Sequence, residues 1–207
     1  MAPAYTGGMS LPPNEIVALL IAVSFAAGLN VYATVATLGL LGHFEVIALP
    51  TSLHLVTGWP IIAASAALFG VEFFADKVPA FDLVWNALHT FIRVPVAAVL
   101  AYQAAANLSP GEQLAAALAG GLIALIAHGG KTAARAAVTP SPEPLSNITL
   151  SLGEDALAIF LTWMATWKPY IAAAIAVLLA IVVLVMIRVV WGALRALFSG
   201  AEKTVRT

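Results

Sequence analysis

Three pairs of charged or ionisable residues stand at i, i+4 spacing in this chain: Glu72 with Asp76, His89 with Arg93, and Lys131 with Arg135. Glu154 and Asp155 form a fourth polar knot. On a helix, side chains four residues apart share a face and lie about 6 Å from each other. Two carboxylates that close in a low dielectric resist ionising together, which is how a proton-sensitive or cation-binding site behaves. His128, Lys131 and Arg135 fall at i, i+3 and i+7. That basic stripe suits an anionic solute or a lipid headgroup. The plainer alternatives are ion pairs that only fix helix packing, with Lys77, Arg93, Lys131 or Arg135 as partners, and basic side chains snorkelling to a membrane surface.

The rest of the chain gives these residues their weight. Of its 207 residues 62% are hydrophobic and 9% charged, and the mean hydropathy is +0.99. A soluble domain carries roughly 25% charged residues. The composition therefore specifies an all-α, polytopic membrane helix bundle. A charge at the centre of a bilayer costs about 2.5 kcal/mol or more, so charges there face protein or water and usually serve a purpose. A net charge of −1 argues against a nucleic-acid partner. The absence of cysteine removes disulfides, thiolate metal sites and iron–sulfur clusters.

Other chemistry finds little support. His89 and His128 could join Glu72, Asp76, Glu154 and Asp155 around a metal, but neither H-E-x-x-H nor paired E-x-x-H spacing is present. No metal and no cofactor is expected. The string "HGGKTAAR" fails the phosphate-loop pattern, because Leu125 stands where that pattern needs glycine. Ser141, Ser146 and Ser151 lack a nucleophile motif, so an enzyme is the least favoured class.

The elements that must position these residues follow from run lengths. Ile16–Gly42 is 27 residues without a charge, or about 40 Å of helix. That exceeds a hydrocarbon core of about 30 Å, so the run tilts or breaks, with Gly28 and Asn30 of "AAGLN" marking the break. Because residues 1–15 contain no Lys or Arg, the run reads as a retained first helix and not a secretion signal. A second helix starts near Ile61 and reaches Glu72 too soon to cross, so Glu72 and Asp76 lie within the span or the segment is re-entrant. Further helices are expected at Leu83–Asn107, kinked by Pro95, at Glu112–Ala137, at Ile148–Trp167 and at Pro169–Phe198. Ser109 and Pro110 cap and open the fourth of these six, and the prolines of "TPSPEPLSN" exclude helix before the fifth.

The expected organisation is an N-terminal tail over 1–14, one transmembrane domain of about six spans over 15–198, and a cytoplasmic tail over 199–207. Arg188, Arg195, Lys203 and Arg206 place the C-terminus in the cytoplasm, and the remaining bases put the N-terminus there too. Trp59, Trp85, Trp163 and Trp167 read as an interfacial belt, and His43 and His54 as loop-surface residues. The halves 15–107 and 112–198 echo each other. Each carries a helix broken by small and polar residues ("AAGLNVYAT", "AHGGKTAAR"), then acids and a tryptophan, then a proline and an apolar helix. That pattern reads as an inverted three-plus-three repeat, a common transporter design.

The strings "GLNVYATVATLGLLG", "VEFFADKVPAFDLVWNALHTFIRVP" and "HGGKTAARAAVTPSPEPLSN…SLGEDALAI" together resemble the domain-of-unknown-function family 4126, over roughly residues 15 to 170. The resemblance implies a small integral protein of the bacterial inner membrane and carries no activity to transfer. There is also a weaker likeness to small cation/proton exchangers with duplicated E-x-G-D-[KR] motifs. "EFFADK" has one residue too many for that motif, and Gly153-Glu154-Asp155 lacks the following base.

The expectation is a transporter or translocase of a small polar or anionic-headgroup substrate, with membrane lipids as surroundings and proton coupling through Glu72 or Asp76. A structural membrane protein with a closed salt-bridge network is the runner-up, and a cation/proton exchanger the third reading. The candidate site residues are Asn30, Glu72, Asp76, His89, Arg93, His128, Lys131, Arg135, Glu154 and Asp155.

Overall fold

The computed structural model describes the backbone of residues 12–47, 49–77, 79–138 and 144–205, and the side chains of 12–47, 49–77, 85–135, 148–192 and 195. Most of the expected N-terminal tail and the stretch 139–143 lie outside the described residues, as do the side chains of Ser141, Ser146, Lys203 and Arg206. Among the described residues the chain is all-helical: α1 (Pro13–Leu29), α2 (Val31–His43), a 3-10 helix (Thr51–Thr57), α3 (Trp59–Ala75), α4 (Pro79–Ala104), α5 (Pro110–Val138), α6 (Pro144–Trp167) and α7 (Pro169–Val205).

Four of these contain stretches long and apolar enough to cross a membrane: Trp85–Ala104, Pro110–Arg135, Ile148–Trp167 and Pro169–Gly192. This is a membrane protein. The 3-10 helix and α3 make a pair bent by 61°, a broken span or a re-entrant segment, while α1 and α2 are shorter apolar helices. Of the six expected crossings, then, four have the form of single continuous spans.

The long apolar run breaks where its sequence is weakest. Asn30 leaves helical geometry (φ −150°, ψ 103°), and its side-chain oxygen accepts from the Ala33 amide at 2.9 Å, capping α2. Asparagine is among the best N-caps because its short side chain reaches the free amides of the first turn. Here it does so in the interior, for Asn30 is fully buried.

Around that break α1 is the central element. Nearly every side chain from Ile16 to Leu29 is buried, and α1 packs against α4, α5, α6 and α7. Its approach to α5 needs glycine. A Cβ on Gly28 would stand 2.4 Å from the Ala124 carbonyl oxygen and 2.7 Å from the Ala127 Cβ. By contrast α7 leaves Leu178, Ile181, Val182, Val185, Val189 and Trp191 exposed, the face of a helix meant for lipid.

Several boundaries differ from expectation, each for a local reason. α6 begins at Pro144 and not at Ile148, since proline is tolerated in a first helical turn, where its missing N–H has no partner to lose. α7 runs past the expected end at Phe198 to Val205. No proline interrupts "RVVWGALRALFSGAEKTV", and its alanines, leucines and arginines favour helix. Ser109 and Glu112 form the expected start of α5 as a capping box: the Ser109 amide and hydroxyl both donate to the Glu112 carboxylate, at 2.9 and 2.7 Å. His43 is half-buried in the last turn of α2, with Nδ1 2.9 Å from the Thr57 carbonyl.

Candidate functional site

Four helices and the α1–α2 break deliver the charged residues to one place. The last turn of α3 supplies Glu72, with Asp76 as its C-cap. α4 supplies His89 and Arg93, α5 supplies His128, Lys131 and Arg135, and α6 supplies Glu154 and Asp155. Arg93 pairs with Glu72. Lys131 Nζ lies 2.9 Å from Asp76, 3.4 Å from Glu72 and 3.4 Å from Glu154. Arg135 closes the loop, at 2.9 Å from Asp76 and 2.7 Å from Glu154.

Every member except Glu154 is buried; Glu72, Asp76 and Arg93 are 0% exposed and Glu154 retains 11% at its side chain. Lys131 is the hub, since it touches three carboxylates and also donates to the Leu29 carbonyl at 3.4 Å. Leu29 is the last residue of α1, so the break presents a free helix-end carbonyl to a cation, as the helix dipole favours.

The contacts of His128 require a neutral ring. His128 Nδ1 faces the Arg93 guanidinium at 2.9 Å and can only accept. Its Nε2 therefore carries the proton and donates to the Thr90 hydroxyl at 2.8 Å. His89 Nδ1 lies 2.7 Å from the Trp85 carbonyl and must donate, while its Nε2 is in hydrogen-bond contact with the Tyr32 hydroxyl at 3.1 Å.

Three expectations change here. The stripe of His128, Lys131 and Arg135 is not a free basic surface: Lys131 and Arg135 are held by the chain's own carboxylates, and His128 contributes no charge. Trp85 does not stand as a bare interfacial residue but stacks on His89, with ring centroids 4.3 Å apart. Lys77 takes no part in the ion pairs described; its ammonium donates to the Phe73 carbonyl at 2.6 Å and sits 3.1 Å over the Phe73 ring.

Asp155 differs from the other acids. Its Oδ1 accepts from the Asn30 side-chain amide at 2.8 Å, and its Oδ2 has no protein partner although the residue is only 4% exposed. Asn30 thus does two jobs at once, with its oxygen capping α2 and its nitrogen holding Asp155. Among the described residues the ion-paired and hydrogen-bonded groups of the site count three bases (Arg93, Lys131, Arg135) against four acids (Glu72, Asp76, Glu154, Asp155), so +3 − 4 = −1 when all are ionised, and Lys77 stands near enough to act on Asp155 and Asp76. The sequence reading missed Tyr32, Thr90 and Ser151. Of these only Ser151 carried a signal, because it precedes Asp155 by one helical turn; its hydroxyl, like Asp155 Oδ2, is buried without a protein partner.

Among the described residues no three His, Cys, Asp or Glu side chains are placed to hold a metal ion. A separate cavity of about 150 Å³ lies at the other end of α1, lined by Glu15, Leu49, Pro50, Thr166 and Trp167.

Residues 17–189 match the family described as Domain of unknown function (DUF4126). The chain belongs to that family. Comparison with curated proteins and with solved structures returns no match. The DUF4126 region runs from α1 into α7 and contains every residue of the charged network, so the network lies within what defines the family's domain.

Proposed function

We propose that this DUF4126 protein is an integral membrane transporter or translocase of a small polar or anionic-headgroup substrate, coupled to protonation, with its charged site closed in the present conformation. The reading includes a bacterial inner-membrane location, cytoplasmic termini and two inverted halves. One observation carries it: the α1–α2 break is packed directly on a buried ion-pair network, and its Asn30 holds a further buried carboxylate, Asp155, that is outside those pairs. Breaking a helix in a bundle interior exposes backbone groups that must be satisfied, and transporters use such breaks to meet ions and substrates. The further carboxylate supplies a group that can change charge.

The test uses purified protein in phosphatidylethanolamine/phosphatidylglycerol vesicles on a solid-supported membrane. Amino acids, carboxylates, amines and inorganic phosphate are applied under a pH gradient, and headgroup-labelled lipid transfer is followed in parallel. A solute-dependent current or lipid transfer, lost in Lys131→Met, is expected. Silence across all these classes, with folded protein in the vesicles, would refute the reading.

A second reading rests on the closed loop formed by Lys131, Asp76, Arg135 and Glu154. A loop in which each member has two partners can simply hold α3, α5 and α6 together. In that reading no movement of solute or lipid occurs in any variant.

A further inference from the structure

The sequence pointed to Glu72 or Asp76 as the proton-sensitive acid. Glu72 is held between Arg93 and Lys131, and Asp76 between Lys131 and Arg135, so protonating either would strip a carboxylate from two buried cations. Asp155 has no base within ion-pair distance among the described residues.

We propose that Asp155 is the proton-binding residue of this site and that Asn30 reports its charge to the α1–α2 break. Four observations converge. The carboxyl is buried, and its one protein partner is a neutral amide. Its Oδ2 and the Ser151 hydroxyl, one turn earlier on the same helix face, are both buried without a protein partner. Protonating Asp155 removes one negative charge without breaking an ion pair, leaving three ion-paired bases against three ion-paired acids among the described residues. And Asn30, which holds the carboxylate, is also the residue that ends α1 and caps α2.

The groups facing Asp155 do not supply a dedicated counter-charge. Lys131 approaches from α5, but its ammonium is shared among Glu72, Asp76 and Glu154. Glu72 and Asp76 face it from α3 with charge of its own sign. Lys77 stands in the turn after α3; its ammonium donates to the Phe73 carbonyl and acts electrostatically on both Asp155 and Asp76, outside ion-pair distance. Glu154 is its neighbour on α6 and is committed to Arg135 and Lys131.

A proton is the ligand the chemistry selects. A bound metal cation needs several oxygens. Here the Asn30 oxygen is occupied by the Ala33 amide, and the Leu29 carbonyl is occupied by Lys131. The ionised carboxylate makes a charge-assisted bond to the Asn30 amide, and the neutral acid makes a weaker one. Protonation therefore loosens Asn30 where the helix is already broken.

The inference rests on the transport reading for its purpose but is tested apart from it, by infrared difference spectroscopy of the full chain in phosphatidylethanolamine/phosphatidylglycerol vesicles between high and low pH. The wild type should show the carbonyl band of a protonated, buried carboxyl group that titrates as one proton. Asp155→Asn should lose that band. Asn30→Ser keeps an oxygen to cap α2 but removes the amide donor, so the band should persist and its midpoint should move to higher pH. A band that survives in Asp155→Asn, or disappears instead in Glu72→Gln or Asp76→Asn, overturns the proposal. So does the absence of any titrating buried carboxyl, or displacement of the band by sodium at fixed pH, which would mark a cation site. If Asp155→Asn loses the band while the wild type moves no solute or lipid, the proton site stands and the transport reading falls. Transport that is present but indifferent to Asp155→Asn, with the band lost, would remove Asp155 from the coupling and overturn its assigned purpose.

Discussion

Neutralising the four acids one at a time should give sharply unequal losses of stability, in an order fixed by which cations are left behind. Glu72→Gln removes the only carboxylate paired with Arg93 among the described residues; the guanidinium's remaining described partner is the neutral His128 ring, and its Nε is already without one. A fully buried, uncompensated guanidinium costs about 3–5 kcal/mol. Asp76→Asn takes a carboxylate from both Lys131 and Arg135, but each keeps Glu154, so its cost lies at or below the lower end of that range. Asp155→Asn removes no ion pair, so it should cost less than about 1 kcal/mol, the scale of one neutral hydrogen bond. For a chain of this size each kcal/mol moves the midpoint by about 2–4 °C. Glu72→Gln should therefore lower Tm by roughly 6–20 °C and Asp155→Asn by less than about 4 °C. Thermal unfolding of detergent-purified protein, followed by tryptophan fluorescence, reads both. The double variant Glu72→Gln/Arg93→Met should recover most of the loss, since replacing a buried pair by apolar groups is often neutral. Equal losses in Asp155→Asn and Glu72→Gln, or a Glu72→Gln protein as stable as wild type, would refute the charge accounting.

Two further outcomes are expected. Gly28→Leu must push α1 off α5, because even a Cβ there meets the Ala124 backbone at 2.4 Å; a loss at or above the 1–3 kcal/mol range of about one overpacked side chain should show as low yield or a lowered Tm, with Gly70→Ala, where nothing stands within 4 Å, as the tolerant control. Reporter fusions at Thr51, Ser109 and the C-terminus should give a cytoplasmic signal only at the C-terminus, and a cytoplasmic signal at Ser109 would contradict the six-crossing arrangement.

The helical membrane class, the break near Asn30 and the gathering of seven charged residues were legible because each follows from a local rule. An uncharged run too long for the bilayer must break at its poorest helix formers, and buried charges must find opposite charges. What the sequence could not show is partner choice. Lys77 stands beside Asp76 in the chain yet turns to Phe73, whereas Lys131, 55 residues away, takes Asp76. Residues 144–147 read as loop because of their prolines, but a first turn absorbs Pro144. The neutral state of His128 depends on which nitrogen meets Arg93, a matter of helix rotation that spacing alone does not fix. The sequence groups Glu154 and Asp155 as one polar knot. Only the structure shows that adjacent positions on α6 face different partners, a pair of bases for one and an amide for the other.

That difference bears on why the network is built from charges at all. Buried ion pairs are weak evidence for stability, since well-packed apolar groups do as well or better. α3 shows what they do instead. It packs on α2 and touches α4 only lightly, and from its C-terminal end Glu72 and Asp76 reach across to Arg93 on α4 and to Lys131 and Arg135 on α5. A helix held by apolar packing is insensitive to charge, whereas one held by shared cations depends on how many carboxylates compete for them. Asp155 alters that competition without belonging to any pair. When it is ionised, Lys131 feels one more carboxylate beside it; when it is neutral, Lys131 is left to Glu72, Asp76 and Glu154. The same proton loosens Asn30 at the α1–α2 break. One buried carboxyl thus acts on both the grip on α3 and the joint in the central helix, and a set of permanently matched ion pairs could supply neither.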